Sequence, residues 1–331
     1  MMTRVRSLRF KAPRRCSKEI LLLLGVVFYC LCNAHCVPHN QDDASHLDSG
    51  FGAEAKETDV IPRDDLHVTG PCLLEREIDD YICIPAGNYT IGSPVNEPGH
   101  EEDEPLRQVN LVESVLVSKT EVSFGDYRSL MGIDDPTDAS PEMPVASVTW
   151  NQALQYCNIL SSIEGFEACY QDPSALFPTW VADCTGYRLL TENEWEIAAR
   201  ARCTGAFAGG DIEEQGCGPD PVLDEYGWYC YHELVMPSLR AQKEANSFGI
   251  FDMHGNVWEW TWDVYRDKLI DSSLDDEDEQ EERAIRGGGW RSSATECRSA
   301  NRNFEYPWIA REDIGFRVGR TLAPEVVVTD E

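Results

Sequence analysis

The segment NSFGIFDMHGNVWEWTW, residues 246–262, combines a predicted turn with a short aromatic strand. Successive side chains of a strand point to opposite faces, so Trp258, Trp260 and Trp262 share one face of the strand predicted over 257–262. Three indoles on one face bury more apolar area than any other segment of the chain. This strand is therefore predicted to lie at the centre of the hydrophobic core.

Glu259 projects from the opposite face of the same strand, among neighbours that favour neither charge nor water. A carboxylate in such surroundings needs a cation or hydrogen-bond donors. Two interpretations are open at this point. Glu259 forms an ion pair with an arginine, or it joins nearby carbonyl oxygens around a calcium ion.

The composition predicts one large domain with appendages. The 331 residues are 42% hydrophobic and 10% aromatic, which allows one domain of about 240 residues with a sizeable core. The formal net charge of −31 would repel a phosphate backbone, so nucleic acid is excluded as a partner. Cations and basic partners are compatible with this charge.

The N-terminus is typical of an exported protein. Basic residues precede the uncharged, mostly apolar run Ile20–Cys32, which is shorter than the roughly 20 residues of a membrane-spanning helix. We predict a signal peptide over residues 1–34, or an uncleaved N-terminal anchor as the one means of membrane attachment. The protein is then extracytoplasmic: secreted, periplasmic or in the ER lumen.

The rest of the chain divides by composition. Residues 35–79 are polar and acidic and predict a flexible linker. A folded domain is predicted over 80–320, and residues 321–331 form a short acidic tail. Within the domain, the acidic run DDEDEQEE at 275–282 predicts an exposed loop.

Cysteine usage agrees with export. Three of the thirteen cysteines precede the predicted cleavage site and no CxxC pair occurs, so the remaining ten predict disulfides rather than a zinc ribbon. The preferred local pairs are Cys169–Cys184 and Cys203–Cys217, with Cys72–Cys83 as a third candidate.

Local patterns predict an α+β, loop-rich chain with few helices. Helices are expected after three N-cap residues, and two of these begin capping boxes, T-x-x-Q and T-x-x-E. The caps are Ser123, Thr149 and Thr191, with predicted helix ends at Gly132 and Gly165 for the first two. Strands are expected over residues 81–85, 89–91, 109–121 and 314–318.

Eight segments in order resemble the formylglycine-generating enzyme (sulfatase-modifying factor) family. They are IPAGNYTIGSP (84–94), KTEVSFGDY (119–127), PVASVTWNQALQYCN (144–158), GYRLLTENEWEIAAR (186–200), NSFGIFDMHGNVWEW (246–260), RGGGW (286–290), CRSANRN (297–303) and IGFRVGR (314–320). The resemblance implies that family's compact, irregular mixed fold, which is related to C-type lectins.

The resemblance also locates a catalytic centre. Enzymes of that family use oxygen, and a copper ion held by two cysteines, to oxidise a cysteine of a sulfatase to formylglycine. Those cysteines lie six and eleven residues after the basic residue of the glycine-rich motif, positions that are Ser292 and Cys297 when counted from Arg286. Cuprous copper prefers thiolates to a hydroxyl, so we expect the copper site to be lost or altered. Cys297 has a second potential role, as half of a disulfide with Cys230 or Cys157.

The resemblance also implies a calcium site, and more of its ligands are present in this chain than of the copper site. The implied ligands are the side chains of Asp252 and Glu259 and the carbonyl groups of Gly255 and Val257. Hard oxygen ligands close together in one turn and strand suit calcium.

These observations favour a monomeric, exported domain that resembles formylglycine-generating enzyme, is stabilised by calcium, and acts as a binding or accessory protein. Its lectin-like loops would bind a protein, peptide or glycan ligand. The alternative is an oxidase that converts a cysteine of a sulfatase-type substrate to formylglycine, with Cys297 as the essential thiol.

Overall fold

The computed structural model describes residues 72, 80–134, 139–266 and 282–322. The predicted signal segment, nearly all of the linker, the acidic run at 275–281 and most of the tail lie outside the described residues. In the part of the chain that is described, no helix has both the length and the apolar character needed to cross a membrane.

Short strands and short helices alternate with long loops. The strands are β1 (Tyr81–Ile84), β2 (Gly87–Ile91), β3 (Arg107–Leu111), β4 (Val115–Ser118), β5 (Tyr170–Gln171), β6 (Thr179–Trp180), β7 (Tyr187–Leu189), β8 (Gly227–Trp228), β9 (His254–Gly255), β10 (Trp258–Val264), β11 (Arg283–Arg286), β12 (Arg302–Glu305), β13 (Ile314–Gly315) and β14 (Val318–Thr321). The helices are α1 (Phe124–Met131), α2 (Trp150–Glu164), α3 (Glu192–Arg200) and α4 (Leu223–Tyr226). This is the loop-rich α+β architecture that the sequence predicts.

Two four-stranded sheets form the framework. The first has the order β1-β4-β14-β7 and is antiparallel throughout. The second has the order β12-β11-β10-β13, in which β10 pairs antiparallel with β11 and parallel with β13. Because β13 and β14 are nearly consecutive in the chain, the C-terminal segment joins both sheets.

The aromatic strand lies in the core, as predicted. Trp258 and Trp260 are buried in the main hydrophobic cluster, beside Trp150 of α2 and Phe316, and Trp262 packs against the cluster from its edge. Two of these rings have a hydrogen-bonded indole nitrogen: Trp260 Nε1 donates to the Val148 carbonyl at 3.0 Å, and Trp150 Nε1 donates to the Thr261 carbonyl at 2.7 Å. The alternation of side chains along β10 therefore places the indoles and Glu259 on opposite faces.

The helix ends follow the local signals. The Ser123 side chain accepts from the Asp126 amide at the start of α1, and both predicted capping boxes form. Gly132 and Gly165 end α1 and α2 in the left-handed conformation, which costs glycine little. Strand limits differ more, because 109–121 is split by a turn into β3 and β4, and 314–318 is split into β13 and β14.

Three disulfides join described cysteines. Cys169–Cys184 and Cys72–Cys83 form as expected. The predicted Cys203–Cys217 pair is wrong, because Cys217 bonds to Cys230. Cys203 is also disulfide-bonded.

The tertiary position of Tyr229 explains that pairing. The Tyr229 hydroxyl donates to the Gly218 carbonyl at 3.0 Å and accepts from the Asp220 amide at 2.8 Å. The loop that follows Cys217 is therefore held against the residue that precedes Cys230.

Candidate functional site

The candidate site is built on the glycine turn, residues 287–289, that follows β11. Gly287 and Gly288 have φ values of 96° and 75°, which L side chains rarely adopt. The Gly287 carbonyl accepts from the Gly255 amide, and the Trp290 amide donates to the Asn256 carbonyl, both at 2.8 Å. The turn is therefore fixed to the segment that precedes the aromatic strand.

Ser292 and Cys297 both lie against this turn. The Ser292 hydroxyl oxygen accepts from the Gly289 amide at 3.1 Å. The Cys297 sulfur packs on Gly288 so closely that a Cβ added there would lie 2.6 Å from it. The structure thus brings the two sequence-predicted residues against neighbouring glycines of one turn.

Cys297 is a free, fully buried thiol. The predicted disulfide with Cys230 or Cys157 is wrong, since Cys230 bonds to Cys217 and Cys157 is also free and buried. Burial, and secondarily the charge of Glu296, raises the pKa of the Cys297 thiol well above its usual value. One thiol and one hydroxyl that already accepts a hydrogen bond do not fit cuprous copper, which prefers two thiolates.

His254 holds the backbone of Cys297. Its Nδ1 lies 2.9 Å from the Cys297 carbonyl oxygen, and its Nε2 accepts from the Ala208 amide at 3.0 Å. This pair of partners requires the neutral tautomer with the proton on Nδ1. Burial lowers the pKa of His254 to about 4, so the imidazole stays neutral and acts as a fixed hydrogen-bonding link.

Cys230 borders the same site from the other side. Its amide donates to the Ser292 carbonyl at 3.0 Å, and its side chain packs against the cluster that contains Cys297 and Tyr229. The Cys217–Cys230 disulfide therefore supports the segment that carries Ser292.

Glu259 has an arginine partner. Arg317 Nη2 and Nε donate to its two carboxylate oxygens at 2.6 and 2.7 Å, and Trp195 Nε1 donates to Oε2 at 2.7 Å. The first of the two interpretations of Glu259 is the arrangement found. Because both oxygens are occupied by cationic or N–H donors, Glu259 does not fit as a calcium ligand in this geometry.

Asp252 and Glu121 form a second buried group nearby. Asp252 Oδ2 accepts from the Ala241 amide at 2.6 Å, and Glu121 Oε1 accepts from Asn256 Nδ2 at 3.0 Å. Their other oxygens, Asp252 Oδ1 and Glu121 Oε2, are buried and accept from no donor group, and the two carboxyl groups lie close enough to hydrogen-bond to each other when one is protonated. Burial raises the pKa of both carboxyl groups, and the charge of Asp252 raises that of Glu121 further.

The sequence-predicted calcium ligands thus share one region, but their side chains do not converge. Asp252 has an oxygen to offer a cation, whereas Glu259 is bonded to Arg317. Among the described residues, no three His, Cys, Asp or Glu side chains are grouped to hold a metal ion. Glu121 and Arg317 were not among the predicted site residues, although both lie in segments that carry the family resemblance.

A further unusual carboxylate, Asp263, contacts the first turn of α3. Asp263 Oδ2, on β10, accepts from the Glu192 amide at 2.6 Å. Burial, followed by the charge of Glu192, raises the pKa of Asp263 to about 6. The α3 glutamates are themselves ion-paired: Glu194 with Arg188 and Glu196 with Arg200. These contacts give the glutamates a structural role.

Comparison with known proteins agrees with this fold. The family model of the sulfatase-modifying factor enzyme 1-like domain matches residues 72–322. The chain belongs to this family. The match begins slightly before the domain start predicted at residue 80 and ends close to its predicted end at 320.

Three relatives are informative about this family member. The chaperone protein LppX of Paenibacillus barcinonensis is 28% identical over 201 residues, covering 54% of this chain and 69% of that protein. The inactive C-alpha-formylglycine-generating enzyme 2 of Mus musculus is 29% identical over 189 residues, covering 53% and 48%. The structure of PvdO from Pseudomonas aeruginosa superposes with a TM-score of 0.59 at 28% identity, covering 73% and 94%. The match therefore spans only about half of the mouse protein's length.

Proposed function

We propose that this sulfatase-modifying factor domain is an exported, monomeric accessory protein that binds a protein, peptide or glycan ligand and does not generate formylglycine. The observation that carries the proposal is the pair at the glycine turn: Ser292 offers a hydroxyl bonded to Gly289, and Cys297 offers a buried thiol. The names of two relatives, an inactive formylglycine-generating enzyme and a chaperone, also support an accessory role without formylglycine generation.

An exposed apolar loop beside this pair supports a binding role. The loop directly follows Cys230, whose amide donates to the Ser292 carbonyl. Four of its side chains are large, apolar and exposed: Tyr231, Val235, Met236 and Leu239. Exposed apolar groups close together are typical of surfaces that contact a protein or ligand. We define residues 231–239 as the apolar loop.

Loss of copper chemistry is tested by metal titration. The unaltered protein, Ser292→Cys and Cys297→Ser are titrated with cuprous ion under a competing chelator, and oxygen consumption is followed with a cysteine-containing sulfatase peptide. We expect copper binding in Ser292→Cys alone, because that variant alone offers two thiols at the turn. Oxygen-dependent oxidation of the peptide by the unaltered protein, absent in Cys297→Ser, would overturn the proposal.

The binding role is tested on peptide and glycan arrays. We expect saturable binding that is lost in the double variant Val235→Asp/Met236→Asp. Val112→Asp is the matched control, because Val112 is 78% exposed and Val235 is 80% exposed, but Val112 lies between β3 and β4. Binding that is equally weakened by both variants, or by neither, would exclude the apolar loop as the binding surface.

One observation favours the alternative function, an oxidase in which Cys297 is the essential thiol. Cys297 is free rather than disulfide-bonded, so its sulfur is chemically available once exposed. This alternative requires a second soft ligand that Ser292 does not supply. The metal titration described above decides between the two functions.

The disulfides bear on the compartment in which the protein acts. Disulfides form and persist in oxidising compartments, and the bonds found here support a secreted, periplasmic or ER-lumenal protein.

We further propose that a calcium ion stabilises the region around Asp252. A melting temperature that is identical in calcium and in chelator would count against the ion.

A further inference from the structure

A cleft of about 890 Å³ lies between α1, α2 and the first sheet. Three tyrosines from distant parts of the chain line it: Tyr81 of β1, Tyr156 of α2 and Tyr187 of β7. We call it the tyrosine cleft. None of its described lining residues belongs to the glycine turn or to the apolar loop. Its volume is within the range of pockets that hold small organic ligands, about 300 to 1,000 Å³.

Tyr156 has a well-packed ring and an unused hydroxyl. The residue is 4% exposed, and its ring stacks on Tyr127 and meets Phe316 edge-on, with centroids 5.8 and 5.3 Å apart. Its hydroxyl has no hydrogen-bond partner among the described residues. Burial, and then the charge of Asp126, raises the pKa of Tyr156. Because Asp126 also lines the cleft, the hydroxyl faces the cleft, where a bound group can reach it.

The other two tyrosines add oxygen atoms to the same space. The rings of Tyr81 and Tyr187 lie 5.7 Å apart. Burial raises the pKa of Tyr81, and the hydrogen-bonded Tyr187 raises it further, followed by Tyr156 and Asp80. The phenol oxygens and the carboxylates of Asp80 and Asp126 therefore lie close together. Ionised carboxylates only accept hydrogen bonds, so the cleft is rich in acceptors.

The charge of the lining is negative. Four carboxyl groups and two cationic groups line the cleft: Asp80, Glu121, Asp126 and Glu164, with Lys119 and Arg240. The Arg240 guanidinium donates to Thr120 Oγ1 at 3.0 Å and to the Glu121 carbonyl at 2.8 Å, and it pairs with the Glu142 carboxylate at 3.2 Å. Its charge is thus balanced by a carboxylate outside the described lining. Negative charge stays in excess even when Glu121, whose pKa burial raises, is protonated.

An apolar surface continues from Tyr156 along α2. Leu160 and Ile163 follow Tyr156 by four and seven residues, so they lie on the same face of the helix, and both line the cleft. Ile163 is 66% exposed. The cleft therefore combines acceptor atoms and negative charge with an adjoining apolar strip.

We propose that the tyrosine cleft binds an ammonium group carried on an apolar stem, as in an alkyl amine or a lysine side chain. The ammonium donates to the Tyr156 hydroxyl and the Asp126 carboxylate, and the stem packs on Leu160 and Ile163. An ammonium has three donors and no acceptor, which matches an acceptor-rich cleft, and tyrosine ring faces attract cations. An anion of the same shape is repelled by the carboxylates. This site is separate from the binding role proposed for the apolar loop and does not depend on it.

The first test is calorimetric titration of the full chain with hexylamine, which is protonated near pH 7. Hexanol and hexanoate, which have the same stem without the positive charge, are titrated in parallel at about 0.15 M salt, where long-range attraction is screened. We expect one saturable site for hexylamine and at least about tenfold weaker binding of the other two. Equal affinity for all three probes, or no binding of hexylamine, would overturn the proposal.

Two variants locate the site. Tyr156→Phe removes the hydroxyl and keeps the ring that packs on Tyr127 and Phe316. Asp126→Asn keeps an oxygen that accepts from Ser123 Oγ, a contact of 2.7 Å at the start of α1. We expect hexylamine to bind about tenfold more weakly to Tyr156→Phe and about three- to fivefold more weakly to Asp126→Asn.

Glu113→Gln is the control for net charge. Glu113 is an exposed carboxylate between β3 and β4, and its replacement should leave the affinity for hexylamine unchanged. Equal weakening in Glu113→Gln and Asp126→Asn would show that hexylamine responds to the overall charge of the protein, and would overturn the site.

A second pair of probes separates the two sources of the ammonium group. A blocked tripeptide with a central lysine is compared with the same peptide acetylated on that lysine. Binding of the lysine peptide that is lost on acetylation and in Tyr156→Phe would identify a lysine side chain of a partner as the ligand. Binding of hexylamine without binding of the peptide would identify a small amine. Failure of both hexylamine and the lysine peptide to bind would refute an ammonium site in the cleft.

Discussion

Arg317 and Glu259 form a two-pronged ion pair at the centre of the domain, with both side chains 1% exposed. Removing one member leaves an uncompensated charge in the core. We therefore expect Arg317→Met to lower the free energy of unfolding by about 3 to 5 kcal/mol, measured by urea denaturation.

Arg291→Met is the control for the arginine prediction. Arg291 pairs with Glu312 on the surface, where the two side chains are 56% and 61% exposed. Solvent screens such pairs, so the expected loss is at most about 1 kcal/mol. Equal losses in free energy of unfolding in the two variants would show that the buried ion pair stabilises the protein no more than the exposed pair does.

Gly288→Ala is predicted to destabilise the glycine turn for two reasons. The left-handed φ disfavours any side chain, and the added Cβ would press on the Cys297 sulfur. Together these effects are expected to cost about 2 to 5 kcal/mol, read from the denaturation midpoint.

Gly132→Ala separates the two effects. Gly132 has a similar φ of 66°, but nothing lies within 4 Å of the position its Cβ would take. Its expected cost is the backbone strain alone, about 1 to 2 kcal/mol. If both variants lose the same stability, the close packing of Cys297 on Gly288 is not real.

The cysteine assignments predict a peptide map. Digestion without reduction should release one linked pair that contains Cys217 and Cys230, and another that contains Cys169 and Cys184. Cys297 should be alkylated about a hundredfold more slowly in the native protein than after unfolding, because burial disfavours the reactive thiolate. A disulfide at Cys297, or fast labelling of the native protein, would refute this arrangement.

Asp263 predicts a pH-dependent stability difference. Its pKa is raised from 3.8 to about 6 by burial and by Glu192, so the folded state binds a proton more tightly than the unfolded state. Stability from this group is therefore fully present below about pH 4 and is lost as the pH rises through about 6, by at most ~3 kcal/mol.

Asp263→Asn should remove that loss. Asparagine keeps the oxygen that accepts from the Glu192 amide, while the favourable charge at the start of α3 is lost, which costs about 0.5 to 1 kcal/mol. We expect a net gain of about 1 to 2 kcal/mol at pH 8 and little or no gain at pH 4. Denaturation curves that differ by the same amount at both pH values would contradict the raised pKa.

Features set by neighbouring residues were predictable from the sequence. The caps at Thr149 and Thr191 depend on residues three positions apart, and the indole face of β10 depends on the alternation of a strand. Ser292 and Cys297 were found because their spacing from Arg286 is local as well.

Features set by distant contacts were not predictable in the same way. Glu259 and Arg317 are 58 residues apart in sequence, and Glu259 alone is equally consistent with a metal or an arginine. The Cys217–Cys230 bond depends on how Tyr229 holds the preceding loop. No sequence pattern indicated a site role for Glu121, because its burial beside Asp252 depends on tertiary contacts. In those contacts Asn256 donates to one oxygen of Glu121, and the Ala241 amide donates to one oxygen of Asp252.

The central place of β14 has a consequence for biosynthesis. β14 lies between β4 and β7, so a chain still emerging from the ribosome leaves both strands with an open edge until residue 321 is made. Open edges invite pairing with other chains, and a sheet closed by its last strand folds late. We therefore expect this domain to complete folding only after synthesis, and a chain stopped before β14 to aggregate rather than to form a smaller domain.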